Sequence, residues 1–590
     1  MKEHRVVCGN AVLLIMTFAL QGCLAYHATQ PGRLFGASGG RRSARRTALP
    51  SAVLTAPSPA AKTMPPRTDN IELSFTPAAS EASEKEDAGT FDWWRQWYPV
   101  AIASDLGKKQ PRQFTVLNEH FVVWWDEATQ KFAAAKDACP HRLAPLSEGR
   151  ISDDGKLHCT YHGWEFDGTG ACTKIPQVEA KAQEAARKNK RACLQTVPCT
   201  EAHALIWIFP DSTREGWAAS REVEPATVAE FDTVPELIKT KDNGLFFRVL
   251  NYNYDTLVEN VGDPSHVPFA HHGIQGNRNR AGPIRMKVDN LTDAGFAVTS
   301  IQDLFGTNLT TRIHFRPPCL LYYQIDFSQL AGVLKKRPII RLLSKIGLAP
   351  KITKPVKSGM LDGHKFYLVV YAVPSAPGQS YIITRFVASA GTRWRNVKSL
   401  MRWDDHLENM AVTDGDNMHV HYQERRLREH ENGLEKFDRA YYMPAPADTA
   451  VRSFRRWLMN DGGGKPSWKG STGQLGPLMT DRKKLFDRWE SHTKYCPICR
   501  KAYAITRVLR SLTTVLSIGL GLDALTSVAA MAFLFPPGGL LSRFLMSCMG
   551  GAALWGVPLL VSGVCGYGAY RLHGLERRWV YTDYNHVERE

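Results

Sequence analysis

Two short segments that each carry one cysteine and one histidine constrain this chain more than any other feature. They are Cys139-Pro-His141 and Cys159-Thr-Tyr-His162, separated by the 17 residues 142–158. Two thiolates and two imidazoles in this order are typical of a two-iron, two-sulfide cluster in which histidine replaces cysteine on one iron. Structural zinc sites also use Cys and His, but their arms more often read C-x₂-C. The pattern therefore predicts a [2Fe-2S] cluster, with zinc as the alternative.

A second pair of histidines lies further along the chain, in Asn260-x-x-Asp263-Pro-Ser-His266-Val-Pro-Phe-Ala-His271. Two imidazoles near a carboxylate are the beginning of a 2-His-1-carboxylate site, which leaves open positions on ferrous iron for O₂ and substrate. Residues five apart on an ideal helix point about 140° away from each other. We therefore expect Pro268 to break the helix, so that both histidines can reach one metal ion.

The third iron ligand has to come from a distant part of the chain. We favour Asp416, which we expect to open a helix, and we keep Asp414 as the alternative. Either carboxylate could instead cap that helix or belong to a turn. The neighbouring His419 and His421 are expected to serve packing or the surface.

Apolar runs separated by Gly, Asn and Asp predict two β-rich domains and an α+β fold. The first motif falls in an expected small antiparallel β-domain at 91–212. The second motif falls in an expected larger domain at 241–429, which combines six strands of an antiparallel sheet with helices at 254–269 and from 396 to about 427.

A basic helix at 481–494 and the pair Cys496-Pro-Ile-Cys499 are expected within 477–500. Two such cysteines can cycle between dithiol and disulfide, which would make the pair redox-regulatory. They could instead form half of a zinc site, for which His492 is the one nearby donor in sequence, or they could simply pack.

Two apolar stretches near the C-terminus, Leu512–Phe535 and Phe544–Tyr570, are each long enough to cross ~30 Å of hydrocarbon. Arginines and lysines flank the outer ends of the pair, which places both ends on the cytosolic or stromal face by the positive-inside rule. We predict a transmembrane hairpin within 512–570. Two buried helices of a soluble domain are the alternative.

The N-terminal 68 residues are typical of targeting sequence. Met1–Ala25 has the basic start and apolar core of a secretory signal, and Tyr26–Thr68 is Arg-rich without a single acid, as in a transit peptide. A signal followed by a transit segment resembles the presequence of algae with secondary plastids, whereas the alternative is a signal peptide with a disordered linker. Residues 69–90 are expected to be linker.

The net charge of +17 suits an acidic redox partner or an anionic membrane surface. No run of Lys/Arg interleaved with aromatic residues is found in the sequence, so we expect no nucleic-acid partner.

The order C-x-H…C-x₂-H followed by N-x-x-D-x-x-H-x₄-H resembles the Rieske non-haem iron oxygenases over about 91–429. In that family the aspartate bridges a cluster histidine of one subunit to an iron histidine of the next, usually in a homotrimer. The resemblance assigns this role to Asp263, with His162 or His141 across the interface.

The plastid-type presequence, the C-x-x-C pair and the apolar hairpin together resemble the plant and algal branch that contains pheophorbide a oxygenase, chlorophyllide a oxygenase and the inner-envelope translocon Rieske protein. Arg577-Arg-Trp-Val-Tyr581-x-x-Tyr584-x-His586 is also similar to that branch. The resemblance implies a plastid membrane enzyme, in the thylakoid or the inner envelope, with its catalytic domains in the stroma. It would use reduced ferredoxin and O₂ to oxygenate a chlorophyll-derived tetrapyrrole. The alternatives are an electron-transfer protein without oxygenase activity and a redox-sensing component of an envelope import complex.

Overall fold

A computed structural model describes most of the chain beyond the presequence. The described residues are 91–234, 238, 244–304, 307–326, 365–388, 402–431, 433, 436–471, 473–534 and 556–587. Four predicted segments lie outside them: the presequence (1–68), the linker (69–90), the turn at 536–539 and the first part of the second apolar stretch.

The first domain is built from three small antiparallel sheets, with strand orders β1-β11-β10, β2-β3-β4-β9 and β5-β6-β7-β8. This confirms the predicted antiparallel β-domain. A single exposed helix, α1 (Ala180–Lys188), lies between the last of its short hairpins and the returning strands. The strands are β1 (Tyr98–Ile102), β2 (Arg112–Val116), β3 (Glu119–Asp126), β4 (Lys131–Lys136), β5 (Arg150–Ile151), β6 (Leu157–His158), β7 (Glu165–Phe166), β8 (Cys172–Lys174), β9 (Thr196–Val197), β10 (Cys199–Ala202) and β11 (Leu205–Ile208).

Two short helices, α2 (Arg214–Glu222) and α3 (Ala229–Thr233), lead into a seven-stranded antiparallel sheet. Its order is β12-β18-β17-β16-β15-β14-β13, so the first and last strands of the sequence pair with each other. Six of these strands were predicted from the sequence, whereas β18 was not, although Tyr381, Ile382 and Ile383 are strong strand formers. The strands are β12 (Leu245–Leu250), β13 (Ile284–Thr292), β14 (Gly295–Leu304), β15 (Thr307–Arg316), β16 (Leu320–Asp326), β17 (Lys365–Ala376) and β18 (Gln379–Ala388).

Helices cover this sheet and continue to the C-terminus. The predicted helix at 254–269 is wrong in extent, because it ends at Gly262 and a separate turn follows. The predicted basic helix at 481–494 is also wrong: a short helix is followed by a π-helical turn, Trp489–Thr493, which directs Arg488 and His492 inward. The remaining helices are α4 (Tyr254–Gly262), α5 (Val267–Ala270), α6 (Arg402–Glu429), α7 (Phe437–Ala440), α8 (Thr449–Asn460), α9 (Arg482–Leu485), α10 (Pro497–Leu534) and α11 (Val557–Arg578).

Helices α10 and α11 pack against each other in opposite directions. Ser517 Oγ donates to the Ser562 carbonyl (2.8 Å), and Ser562 Oγ donates to the Ser517 carbonyl (2.7 Å). Gly521 and Gly566 lie against the same two serines, so small residues bring the backbones together. Within the described residues, α10 is the one helix that meets the length and composition needed to cross a membrane.

A buried ion cluster fixes α8 to α4. The Arg455 side chain is fully buried, and its guanidinium donates to Asp255 Oδ2 (2.8 Å) and to Glu259. Arg428 adds a second guanidinium 3.6 Å from Asp255 Oδ1. Because two carboxylates of α4 pair with Arg455, its positive charge holds α8 and α4 together.

Arg455→Met should lower the stability of the second domain by about 3–5 kcal/mol, because it leaves Asp255 and Glu259 buried without their main counter-charge. Thermal unfolding followed by circular dichroism measures the loss as a lower Tm. The matched control is Arg456→Met, which removes the same charge at the exposed neighbouring position. Equal Tm values for the two variants would contradict the prediction.

Candidate metal centres

Two loops with the same backbone pattern carry the first Cys/His motif. In each loop the cysteine N–H donates to the carbonyl five residues later (2.8 Å from Cys139, 2.9 Å from Cys159). The N–H four residues later donates back to the cysteine carbonyl (2.8 and 2.9 Å). The residues at that position, Leu143 and Gly163, both have left-handed φ values of 59° and 76°. The loops therefore present their cysteines in equivalent ways.

The two cysteines are buried, whereas the two histidines lie nearer the surface. Cys139 and Cys159 are each 2% exposed, while His141 is exposed and its ring centroid lies 4.5 Å from that of His162. The ligand atoms of these four described residues do not all lie within 4.8 Å of one another. A thiolate pair inside and an imidazole pair outside fits a two-iron cluster better than one zinc ion.

His266 and His271 lie immediately before and after the short helix α5. The chain leaves α4 at Gly262 because Pro264 disfavours helical geometry in the residue before it. The expectation that Pro268 breaks the helix is wrong, since Pro268 sits in the first turn of α5, where proline is tolerated. The two Nε2 atoms nevertheless lie 3.2 Å apart.

A carboxylate from α6 completes this group. Asp416 Oδ1 lies 3.4 Å from His271 Nε2 and 3.6 Å from His266 Nε2, and all three ligand atoms lie within 4.8 Å of one another. Asp416 sits in the middle of the 28-residue helix α6, so the expectation that it opens or caps a helix is wrong. Two imidazoles and one carboxylate on one side of a point fit a mononuclear Fe(II) with open positions.

The alternative carboxylate, Asp414, is already neutralised by two arginines. Its Oδ1 lies 2.7 Å from Arg248 and its Oδ2 lies 2.8 Å from Arg488, and all three side chains are buried. Asp416 faces imidazoles and the Asn260 amide instead, and burial raises its pKa to about 6. Among the residues that the structure describes, no guanidinium pairs with Asp416, which suits a metal ligand, whereas Asp414 is the centre of a buried ion-pair group.

Gly415 lies where α6 meets the histidine segment. A Cβ at this position would stand 2.9 Å from His271 Nδ1 and 3.0 Å from both the Ala270 carbonyl oxygen and Tyr584 Oη. Contacts this short are rare for a real Cβ, so glycine lets α6 approach closely enough for Asp416 to reach the histidines. Glycine has a low helix propensity, so its presence in the middle of α6 reflects tertiary packing rather than the end of a helix.

The C-terminal segment returns to this centre, which sequence reasoning did not foresee. Tyr584 Oη donates to the Ala270 carbonyl (2.7 Å), and His586 Nε2 donates to the Gly415 carbonyl (2.9 Å). Both residues belong to the C-terminal motif noted above. The sequence therefore singled them out, but it did not show where they lie in the fold.

Asp263 follows α4 and directs one oxygen toward the histidines. Its Oδ1 accepts from Ser265 N (2.7 Å) and Ser265 Oγ (2.5 Å). Its Oδ2 lies 3.8 Å from His266 Nδ1, and the side chain is 26% exposed. The carboxylate is therefore held in place on one side and open on the other.

A cavity of about 700 Å³ lies between the second half of α6 and the C-terminal segment. A second cavity of about 230 Å³, beside Ala270 and His272, shares His419 and His586 with it. His419 thus lines both cavities, while His421 packs as expected, with Nδ1 bonded to the Asn251 carbonyl (2.7 Å). The larger cavity is lined by Met418, His419, Tyr422, Gln423, Arg426, Leu427, His430, Ala440, Tyr441, Arg482, Tyr584, Asn585, His586 and Val587.

Cys496 and Cys499 lie at the beginning of α10, and both are buried. Their sulfurs face His406 and His492. His406 was missed in the sequence because it lies 90 residues before Cys496 and belongs to no local motif.

Comparison with known proteins identifies the family of this chain. Residues 96–198 match the Rieske [2Fe-2S] domain family, and residues 315–433 match the pheophorbide a oxygenase family. The chloroplastic pheophorbide a oxygenase of Arabidopsis thaliana is 31% identical over 89% of this chain and 90% of its own length. The chloroplastic protochlorophyllide-dependent translocon component 52 of the same plant is 29% identical, covering 77% and 80%. The chloroplastic chlorophyllide a oxygenase of Chlamydomonas reinhardtii is 26% identical, covering 61% and 47%.

Gly415→Ala should lower the content of mononuclear iron and leave the cluster intact, because the added methyl group pushes α6 away from His271. Iron analysis should fall from about three irons per chain toward about two, the number in the cluster. The electron paramagnetic resonance signal of the reduced cluster should not change.

The matched control is Gly574→Ala, at a helical glycine whose Cβ would meet nothing within 4 Å. It should keep all the iron. Full iron content in Gly415→Ala would contradict the packing argument.

Proposed function

Because the chain belongs to the pheophorbide a oxygenase branch of the Rieske non-haem iron oxygenases, we propose that it inserts oxygen from O₂ into a chlorophyll-derived tetrapyrrole. Pheophorbide a and chlorophyllide a are the candidate substrates. In this family a [2Fe-2S] cluster supplies single electrons and a mononuclear Fe(II) supplies the activation of O₂. The observation that carries the proposal is the convergence of His266, His271 and Asp416 on one point, in a chain that also carries the two cluster loops. An electron-transfer protein would have no use for that second group.

In this proposal the buried Cys139 and Cys159 and the outer pair His141 and His162 would hold the cluster, which would supply single electrons. The exposure of His141 supports electron entry or exit through the imidazoles. The electrons come from reduced ferredoxin, for which the basic charge of the chain offers an attractive surface.

His266, His271 and Asp416 would hold the mononuclear iron, and Asp263 would position His266. Because Ser265 fixes one oxygen of Asp263, the other oxygen stays directed toward His266 Nδ1. Its partial exposure leaves room for a cluster histidine, His162 or His141, from an adjacent subunit. We therefore propose a homotrimer in which Asp263 bridges the two centres.

The substrate occupies the cavity of about 700 Å³ beside α6. Its volume falls within the range of about 300–1,000 Å³ that is usual for ligand sites. Tyr422, Tyr441 and Leu427 offer apolar surface for a flat macrocycle, and Arg426 at the rim offers a cation for a propionate carboxylate. Tyr584 and His586 close the side of the cavity that faces the iron ligands.

Helices α10 and α11 anchor the enzyme in a plastid membrane as a hairpin, with the catalytic domains in the stroma. Outward-facing apolar side chains of α10 support this, including Leu512 (57% exposed), Val515 (69%) and Leu525 (62%). Burial of these side chains in hydrocarbon would remove an exposed apolar surface that water does not favour. In the same proposal residues 1–68 are the plastid-targeting presequence, and residues 69–90 are the linker before the domains at 91–212 and 241–429.

Full-length protein with reduced ferredoxin, ferredoxin reductase and O₂ should add oxygen to at least one member of a panel of pheophorbides and chlorophyllides, detected as a mass increase. Asp416→Ala should abolish the product while the reduced cluster keeps its electron paramagnetic resonance signal, because the substitution removes an iron ligand and leaves the cluster loops untouched. His120→Ala, at an exposed histidine of β3, is the control and should keep full activity.

Absence of a mass increase across the whole panel would refute the substrate class. Product formation by Asp416→Ala at the wild-type rate would refute the ligand assignment, whatever the substrate.

A further inference from the structure

Four side chains of the types that bind metals lie together near the beginning of α10, and the proposed oxygenase reaction does not use them. They are His406 of α6, His492 of the π-helical turn, and Cys496 and Cys499 at the beginning of α10. All four are buried, with exposures of 2%, 1%, 2% and 0%. We propose that they form a closed, tetrahedral Zn²⁺ site.

Four of the six distances between the donor atoms are close to the edges of a zinc tetrahedron, and all four atoms lie within 4.8 Å of one another. His406 Nδ1 lies 3.2 Å from His492 Nε2 and 3.4 Å from each sulfur, and His492 Nε2 lies 3.3 Å from Cys499 Sγ. Zinc bonds of about 2.0–2.1 Å to nitrogen and about 2.3 Å to sulfur at tetrahedral angles give edges of roughly 3.3 Å for N···N and 3.6 Å for N···S. The four atoms are therefore already spaced as ligands of one ion.

The tautomer of the neutral His492 ring also suits a metal ligand. Its Nδ1 donates to the Phe247 carbonyl (2.5 Å), so in the neutral ring Nε2 carries a lone pair directed at the other donors. A hydrogen bond from the second ring nitrogen to a carbonyl is the usual way in which a protein orients a zinc-binding histidine. The Phe246 ring stacks on the same imidazole at a centroid distance of 4.7 Å and fixes its plane.

The charge balance favours an ion over four empty donors. Two thiolates offset the charge of Zn²⁺, so the complete site is neutral. Phe246, Leu407, Met410 and Trp579 pack around it. Asp105 and Arg112, which carry opposite charges, line a small cavity beside Cys496 and His492. A neutral, fully enclosed Cys₂His₂ set is the donor set of structural zinc sites, which keep no open position.

The same burial argues against the dithiol switch that the C-x-x-C spacing suggested. Thiol–disulfide exchange requires a partner thiolate to reach a sulfur atom. Neither Cys496 nor Cys499 exposes enough surface for that approach. A bound zinc ion would also occupy both thiolates.

The site would tie three parts of the chain together. It joins α6 to α10, and through His492 it joins both to β12, whose Phe247 carbonyl accepts the hydrogen bond. Asp416 lies ten residues after His406 on the same helix. Zinc would therefore fix the base of the apolar helix pair to the helix that carries the carboxylate of the iron centre.

The decisive experiment is metal analysis and zinc K-edge X-ray absorption on the full-length protein with its iron in place. We expect about one zinc per chain, with two sulfur ligands at about 2.3 Å and two nitrogen ligands at about 2.0 Å. Zinc far below one per chain, a fourth iron in its place, or a disulfide between Cys496 and Cys499 would each overturn the proposal.

The double variant Cys496→Ser, Cys499→Ser should lose the zinc, lower the Tm and keep the electron paramagnetic resonance signal of the cluster. Cys319→Ser is the matched control, because it makes the same change at a buried thiol outside the site and should keep the zinc. A double variant that retains stoichiometric zinc would overturn the ligand assignment. If the double variant does not fold, the zinc content and absorption spectrum of the wild-type protein still decide.

Discussion

The close contact between α6 and the His266–His271 segment is the constraint on which the catalytic domain depends. A carboxylate in the middle of a long helix must reach two imidazoles at the two ends of the short helix α5, and Gly415 provides space for that approach. The neighbouring Asp414 would repel Asp416 if it were not neutralised by Arg248 and Arg488. Packing thus places Asp416 beside the two histidines, while ion pairs with the two arginines compensate the charge of Asp414.

Helix α6 connects most of the functional features of the second domain. Its first third carries His406, its middle carries Asp414 and Asp416, and its second half lines the large cavity. A rigid helix transmits a displacement at one of these positions to the others. The proposed zinc site would thus lie on the same helix as Asp416, which follows His406 by ten residues.

The C-terminal residues couple the apolar helix pair to the iron centre. After α11 the chain runs back past α9, where Arg482 donates to Asp583 and to the Tyr584 carbonyl (2.9 Å), and then contacts α5 and α6. If the helix pair lies in a membrane, as proposed, this segment places the cavity near the bilayer surface. An apolar tetrapyrrole could then reach the cavity without crossing open water.

The sequence by itself determined the types of ligand in both centres, because cysteine, histidine and aspartate at fixed spacing restrict the choice of metal whatever the fold. It indicated the Cys/His arms, His266 and His271, a β-rich pair of domains and two apolar C-terminal stretches. Only the tertiary structure favours Asp416 over Asp414, since Asp414 faces arginines that lie 166 residues before it and 74 residues after it in the chain. The same holds for His406 beside Cys496 and for Tyr584 beside Ala270: contacts between residues this far apart leave no local pattern, because folding, rather than spacing, brings them together.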